Sequence, residues 1–239
     1  MGTASDRTVD RDGPATKNIG LVFELEYSAI AGRAVIFDVM KNILSDRGVK
    51  LTPALFSQHC IHGGVEQSIH TVLETFGKTR VSEDKVIQDV SKAIRLSLAD
   101  GSVKLAPGVL DLLRAARDKG LPLGALSSLD EEGAQNLISR LGLDALHVQL
   151  HCYSTSDDGV PLPDADAWRR LAKRMGVSYM GTLAMASSRH ACQAAMVNGM
   201  CCVATPDPYT GFQDFSGADF VIDSMEPGLL DDMLALVTA

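Results

Sequence analysis

Two carboxylates, Glu24 and Glu26, close the apolar run Gly20-Leu21-Val22-Phe23 with a single residue between them. Side chains alternate faces along a strand, so an extended backbone through both would aim the two acids the same way. At the C-terminal lip of a buried strand they would stand where open α/β sheets place their ligand sites. The plainer reading of the same spacing is that two acids close a strand and face water, as most charges do. A second candidate is Ser187-Ser188-Arg189-His190, which opens a helix. Amides at a helix N-terminus favour an anion, and Arg189 and His190 add positive charge there. Against this stands an ordinary serine cap with exposed basic residues. Asp130-Glu131-Glu132 reads as acids favourably placed in a first helical turn. His59-Cys60-Ile61-His62 has the outline of a zinc pair, but no second ligand pair follows at metal spacing, as a tetrahedral site would need. His147 and His151 flank a strand and end it, and Trp168 reads as core or interface.

Elements of two periods must position these groups. The first strand is expected at 18–23. From 32 to about 98 the pattern is helical, with helices at 34–47, 51–60, 65–76 and 82–98 and no strand between them. The 51–60 helix opens on Thr52-Pro53, a capping residue followed by proline at the first helical position. Strands then alternate with helices. Strands are expected at 121–126, 146–151, 182–185, 200–204 and 220–222, and helices at 107–119, 130–141, 164–175, 188–198 and 227–237. That alternation means βαβ units and a parallel sheet. The predicted fold is therefore α/β, a Rossmann-like parallel sheet with an inserted all-helical subdomain. Residues 1–17 are expected to form a flexible tail, 18–31 and 104–239 the α/β core, and 32–103 the helical insertion.

Composition narrows the function classes. The chain has 239 residues, 46% hydrophobic and 22% charged, as an ordinary globular protein does. A formal charge of −8 disfavours nucleic acid and anionic membrane surfaces as partners. No apolar run reaches the ~20 residues that span a bilayer, and no leader-type apolar core is present, so a cytoplasmic location is expected. Cys60, Cys152, Cys192, Cys201 and Cys202 are scattered without a CxxC pair and read as reduced, mostly buried small hydrophobes. Cys201 and Cys202 should point to opposite faces of one strand.

An apolar strand ending in two acids, a helical insertion, and α/β units with a strand ending in Ser127-Ser128 resemble the haloacid dehalogenase superfamily. The branch is similar to the β-phosphoglucomutases and sugar-phosphate phosphatases with a helical cap. The carrying stretches are Leu105-Ala106-Pro107-Gly108, the block at 194–204 (AAMVNGMCCVA) and the stretch at 209–219 (YTGFQDFSGAD). The resemblance runs from about Ile19 to the C-terminus.

What the resemblance implies follows position by position. The family's DxDGT motif holds a nucleophilic Asp and an acid/base Asp; here Glu24-Leu25-Glu26-Tyr27-Ser28 stands in its place, so Glu24 and Glu26 occupy those roles with one extra methylene each. A misplacement of ~1 Å costs on the order of a hundredfold in rate, although carboxylates of either kind can act as nucleophiles. Tyr27 replaces a glycine and would crowd the pocket. Asp38 in Val35-Ile36-Phe37-Asp38 is not the nucleophile, since Met40 stands where the second acid should be. Ser127 matches the hydroxyl that holds the phosphoryl group, with Ser128 beside it. Val160 stands where a lysine is expected. Ala186 and Ser187 replace the Mg²⁺-binding acids, leaving Glu24, Glu26 and Ser187 as a poor set for a hard cation. Arg189 would be a surrogate cation. The sequence reading is therefore a member whose catalytic motifs have degenerated, with no cofactor, binding a small phosphorylated metabolite weakly or a protein partner. The alternative is a divergent phosphohydrolase or phosphotransferase that uses Glu24 as nucleophile, Glu26 as acid/base and Mg²⁺.

Overall fold

The computed structural model describes residues 18–77, 81–153, 163–226 and 228–238. Six strands form one parallel sheet in the order β3-β2-β1-β4-β5-β6, from β1 (Gly20–Glu24), β2 (Leu123–Ser127), β3 (Gln149–Cys152), β4 (Thr182–Ala186), β5 (Cys201–Ala204) and β6 (Phe220–Val221). β1 lies in the middle, with Leu21 opposite Leu123 on one side and Leu183 on the other. The expected α/β class with a parallel sheet is what the chain adopts.

The strands are apolar on both faces because both faces are covered. Leu21, Phe23, Ala125, Met185 and Val203 join the larger core with α5 (Val109–Asp118), α6 (Glu131–Arg140) and α9 (Leu229–Thr238). Val22, Leu126, Ala184 and Ala204 meet α7 (Ala165–Arg174) and α8 (Arg189–Met196), where Trp168 is fully buried. Cys201 belongs to the first core and Cys202 to the second, the opposite-face placement expected of neighbours on a strand.

Four helices run consecutively between β1 and α5: α1 (Gly32–Ser45), α2 (Pro53–His59), α3 (Val65–Thr75) and α4 (Glu83–Leu98). Thr52 caps α2 through its hydroxyl, which accepts the Leu55 N–H at 3.3 Å. The chain leaves the sheet and returns to it through two runs that pair with each other. Ile30 bridges Leu105 in antiparallel fashion, and the Ala106 N–H donates to the Ala29 carbonyl at 2.8 Å.

The first strand, expected at 18–23, runs Gly20–Glu24, so the condition for aiming both acids the same way is not met, and Leu25–Ala29 forms one wide helical turn. The ladder to β4 ends at Phe23 and that to β2 at Glu24, so the chain has no strand partner with which to stay extended. The strand expected at 146–151 starts only at Gln149, because Asp144–Leu146 forms a tight helical turn and His147 takes a left-handed conformation, φ 52°. No helix among the described residues is long and apolar enough to cross a membrane.

Candidate active site

The C-terminal edge of the sheet collects the acids. Glu24, the last residue of β1, is fully buried, and its Oε2 accepts both the Ser187 N–H at 2.6 Å and the Ser187 hydroxyl at 2.7 Å. Ser187 follows β4 directly, so the adjacent strands bring these groups together. The other oxygen, Glu24 Oε1, has no partner among the described residues. Glu26, in the wide turn, is equally buried. The Ser127 hydroxyl donates to its Oε1, and the Ser128 N–H donates to its Oε2 at 3.1 Å. Ser127 Oγ in turn accepts the Leu129 N–H at 3.1 Å. Thus Glu24, Glu26, Ser127, Ser128 and Ser187 meet at one lip even though the strand ends at the first acid.

Burial dominates the titration of both acids. It raises Glu24 above the usual carboxylate range, opposed by Arg33 and the bonds from Ser187. It lifts Glu26 to about 7, opposed by the bonds from Ser127 and Ser128. Taking a carboxylate out of water disfavours its charged form, and serine donors recover only part of that loss. Tyr27 is pushed up to about 12 by burial and the neighbouring Glu26.

The positive charge at this lip comes from Arg33, in the first turn of α1. It is 3% exposed. Its Nη1 donates to Ser187 Oγ at 3.0 Å and to Asp207 Oδ2 at 2.9 Å, and its guanidinium lies 4.3 Å above the centre of the Tyr27 ring. Burial works against its charge, but Asp207 and Glu24 outweigh that and hold its pKa above the ordinary value. Asp207, beyond β5, is fixed by the Tyr209 N–H at 2.8 Å and the Thr210 N–H at 3.1 Å, both donating to its Oδ1. The result is a continuous chain Glu24–Ser187–Arg33–Asp207.

Arg189 does not join it. It is exposed at the start of α8, and its backbone N–H donates to Gln213 Oε1 at 2.7 Å. Ser188 serves as the cap of α8, its Oγ accepting the Ala191 N–H at 3.3 Å. Asp38 is exposed on α1. Val160 lies outside the described residues. Among the described residues no three His, Cys, Asp or Glu side chains gather as a metal site, the His59 and His62 pair included.

Sequence reasoning missed Arg33 and Asp207. A signal existed for each. A cation in the first turn of a helix opposes the macrodipole, so Arg33 had to have a specific partner. Asp207-Pro208-Tyr209-Thr210 after a strand has the composition of an Asp-anchored turn.

Gly32 fixes where Arg33 starts. A Cβ at Gly32 would lie 2.2 Å from the Glu26 carbonyl oxygen, so α1 could not begin there with any other residue unless it shifted. Gly32→Ala is expected to cost about 1–3 kcal/mol, read from urea unfolding, as overpacking against backbone does. A loss below about 0.5 kcal/mol would mean that α1 slides without strain.

A cavity of about 440 Å³ opens beside this lip, between it and the helices α1–α4. Tyr27, Arg33 and Ser128 of the lip line it. A family model for haloacid dehalogenase-like hydrolases matches residues 33–190. The chain belongs to the haloacid dehalogenase-like hydrolases. The match begins at Arg33, beyond Glu24 and Glu26, and takes in Ser127 and Ser187. Among curated members of the family, the chain is 27% identical over 207 residues to "Putative phosphatase YhcW" of Bacillus subtilis (strain 168), covering 86% of this chain and 91% of that one. Solved haloacid dehalogenase-like structures share the fold. CbbY from Rhodobacter sphaeroides, in complex with xylulose-1,5-bisphosphate, superposes with a TM-score of 0.69 at 17% identity, covering 86% of this chain and 94% of that one. A family IA, variant 3 hydrolase from Entamoeba histolytica gives 0.74 at 16% identity, with 92% and 100% covered.

Proposed function

We propose that this chain is a ligand-binding member of the haloacid dehalogenase-like hydrolases in which the phosphoryl-transfer machinery has become a fixed polar brace. It holds a small anionic metabolite beside the lip of the sheet and turns over phosphoesters at no useful rate. The observation carrying this reading is the clamp on Glu24: one oxygen takes two donors from Ser187, and Ser187 is itself bonded to Arg33. A nucleophile must be free to approach phosphorus in line, and phosphoryl transfer depends almost wholly on positioning and charge compensation. Ser127, the hydroxyl in the phosphoryl-anchoring place, is engaged with Glu26.

The residues present do not fit Mg²⁺. Among the described carboxylate and serine oxygens of the lip, Glu24 Oε1 is the orphan a cation could use. Both oxygens of Glu26 are taken, and Ser187 Oγ is shared between Glu24 and Arg33. A guanidinium already supplies positive charge there, whereas Mg²⁺ demands near-octahedral oxygen ligands. A phosphomonoester dianion is equally ill matched, since Arg33 already answers the charges of Asp207 and Glu24.

The test is hydrolysis of an aryl phosphate with Mg²⁺ by the wild type and by Glu24→Gln. Both are expected at the background rate, equal within about twofold. The second reading, a divergent phosphohydrolase with Glu24 as nucleophile, draws on that unpartnered Oε1 and on the phosphatase name of the relative YhcW. A Mg²⁺-dependent wild-type rate that disappears in Glu24→Gln would establish it instead.

A further inference from the structure

We infer that the cavity between α1–α4 and the sheet lip takes a monocarboxylate with an apolar body, its head on Arg33 beside the start of α3. This deepens the proposed function at the same site and rests on it, because the ligand is held there intact. The body of the cavity is apolar, with Ile36, Met40, Phe56, Ile94 and Leu98 among its walls. Its volume of about 440 Å³ falls within the range of small-molecule sites. A sugar would find few partners for its hydroxyls against those walls, and burying unpaired hydroxyls is unfavourable.

The head is specified by an unused donor. Arg33 lines the cavity, and while Nη1 serves Ser187 and Asp207, the buried Nη2 has no partner among the described residues. A buried guanidinium N–H left unpaired is unfavourable, and a carboxylate oxygen is the acceptor that suits it best. Gly63, Gly64 and Val65 line the same cavity where α3 begins. Gly64 provides no side-chain cap, so the first turn of α3 has no capping side chain to occupy its amides, which favour an anion. One guanidinium already facing Asp207 suits one negative charge and not two. At the rim, Arg95 and Asp130 lie 4.0 Å apart and cancel each other.

The experiment is titration calorimetry of the full chain with octanoate, octanol and glucose 6-phosphate. Octanoate should bind more tightly than either of the others. Arg33→Lys keeps the charge but loses the second N–H, and should weaken octanoate by about tenfold or more while leaving octanol within about twofold. Ser91→Phe, from a half-buried position on the cavity wall, should abolish octanoate binding and keeps the inference testable if Arg33→Lys fails to fold. Absence of octanoate binding, binding indifferent to both substitutions, or tighter binding of glucose 6-phosphate would overturn it. If octanoate fails while aryl phosphate hydrolysis stays at background, only this inference falls; Glu24-dependent turnover would remove the reading beneath it.

Discussion

Arg33→Met should lower stability by about 3–5 kcal/mol, the usual consequence of removing one partner of a buried ion pair. The side chains of Arg33 and Asp207 are 4% and 19% exposed and meet at 2.9 Å, so little water is available to replace the lost partner. The same substitution strips Ser187 Oγ of a donor and leaves buried Glu24 without its nearest positive charge. Its ring contact with Tyr27 goes too, a smaller effect. For a chain of this size the change corresponds to a drop of about 10 °C or more in melting temperature. Urea unfolding of the single variants Arg33→Met and Asp207→Asn and of the double variant would isolate the pair. The double variant should be less damaged than the two single losses added together, because the second removal discharges an already unpaired group. A loss under about 1 kcal/mol for Arg33→Met would mean that the brace is open to water and would count against the whole account of the site.

The second large effect is a pH-dependent gain from Glu26→Gln. The Glu26 carboxyl moves from 4.5 to about 7 on folding, chiefly through burial. The folded protein therefore holds this proton more tightly than the unfolded chain. The stability associated with it is complete below pH 4.5 and is lost as pH rises to about 7, beyond which nothing further changes. The displacement is worth about 3 kcal/mol, at about 1.4 kcal/mol for each pH unit. Glutamine resembles the protonated acid: its carbonyl can accept the Ser128 N–H and its amide can donate to Ser127 Oγ. Measured against wild type, Glu26→Gln should be nearly neutral at pH 4 and more stable by about 3 kcal/mol at pH 8. A difference that stays flat from pH 4 to pH 8 would show that Glu26 ionises in the folded protein as freely as in water.

Much of this protein could be read from periodicity and stop signals. Glycines after α1, α5, α6, α7 and α8 mark their ends, and the apolar runs of β1, β2, β4 and β5 could belong only to a sheet covered on both faces. The acids and serines of the lip were legible because each stands at or just beyond a strand end. What escaped was set by tertiary structure. Arg33 and Asp207 are 174 positions apart, and no local pattern joins them. Arg189 drew attention because it opens a helix beside Ser187 and Ser188, yet it is exposed there and its backbone N–H meets Gln213. The backbone at Glu26 could not be read for a related reason: strand length depends on neighbours, and the ladders beside β1 stop at Phe23 and Glu24.

The pairing of Ile30 with Leu105, and of Ala106 with Ala29, brings the two ends of the helical block side by side. To the six strands, everything from α1 through α4 is a detour whose exit and entry coincide. Extra turns in those helices would add little closure entropy and would leave the strand register where it is, because entropy grows only slowly with the length of a closed excursion. The walls of the cavity can thus diverge freely while the lip that carries Glu24 and Glu26 keeps its shape. Arg33, bonded to Ser187 and Asp207, ties the fate of the one to the other.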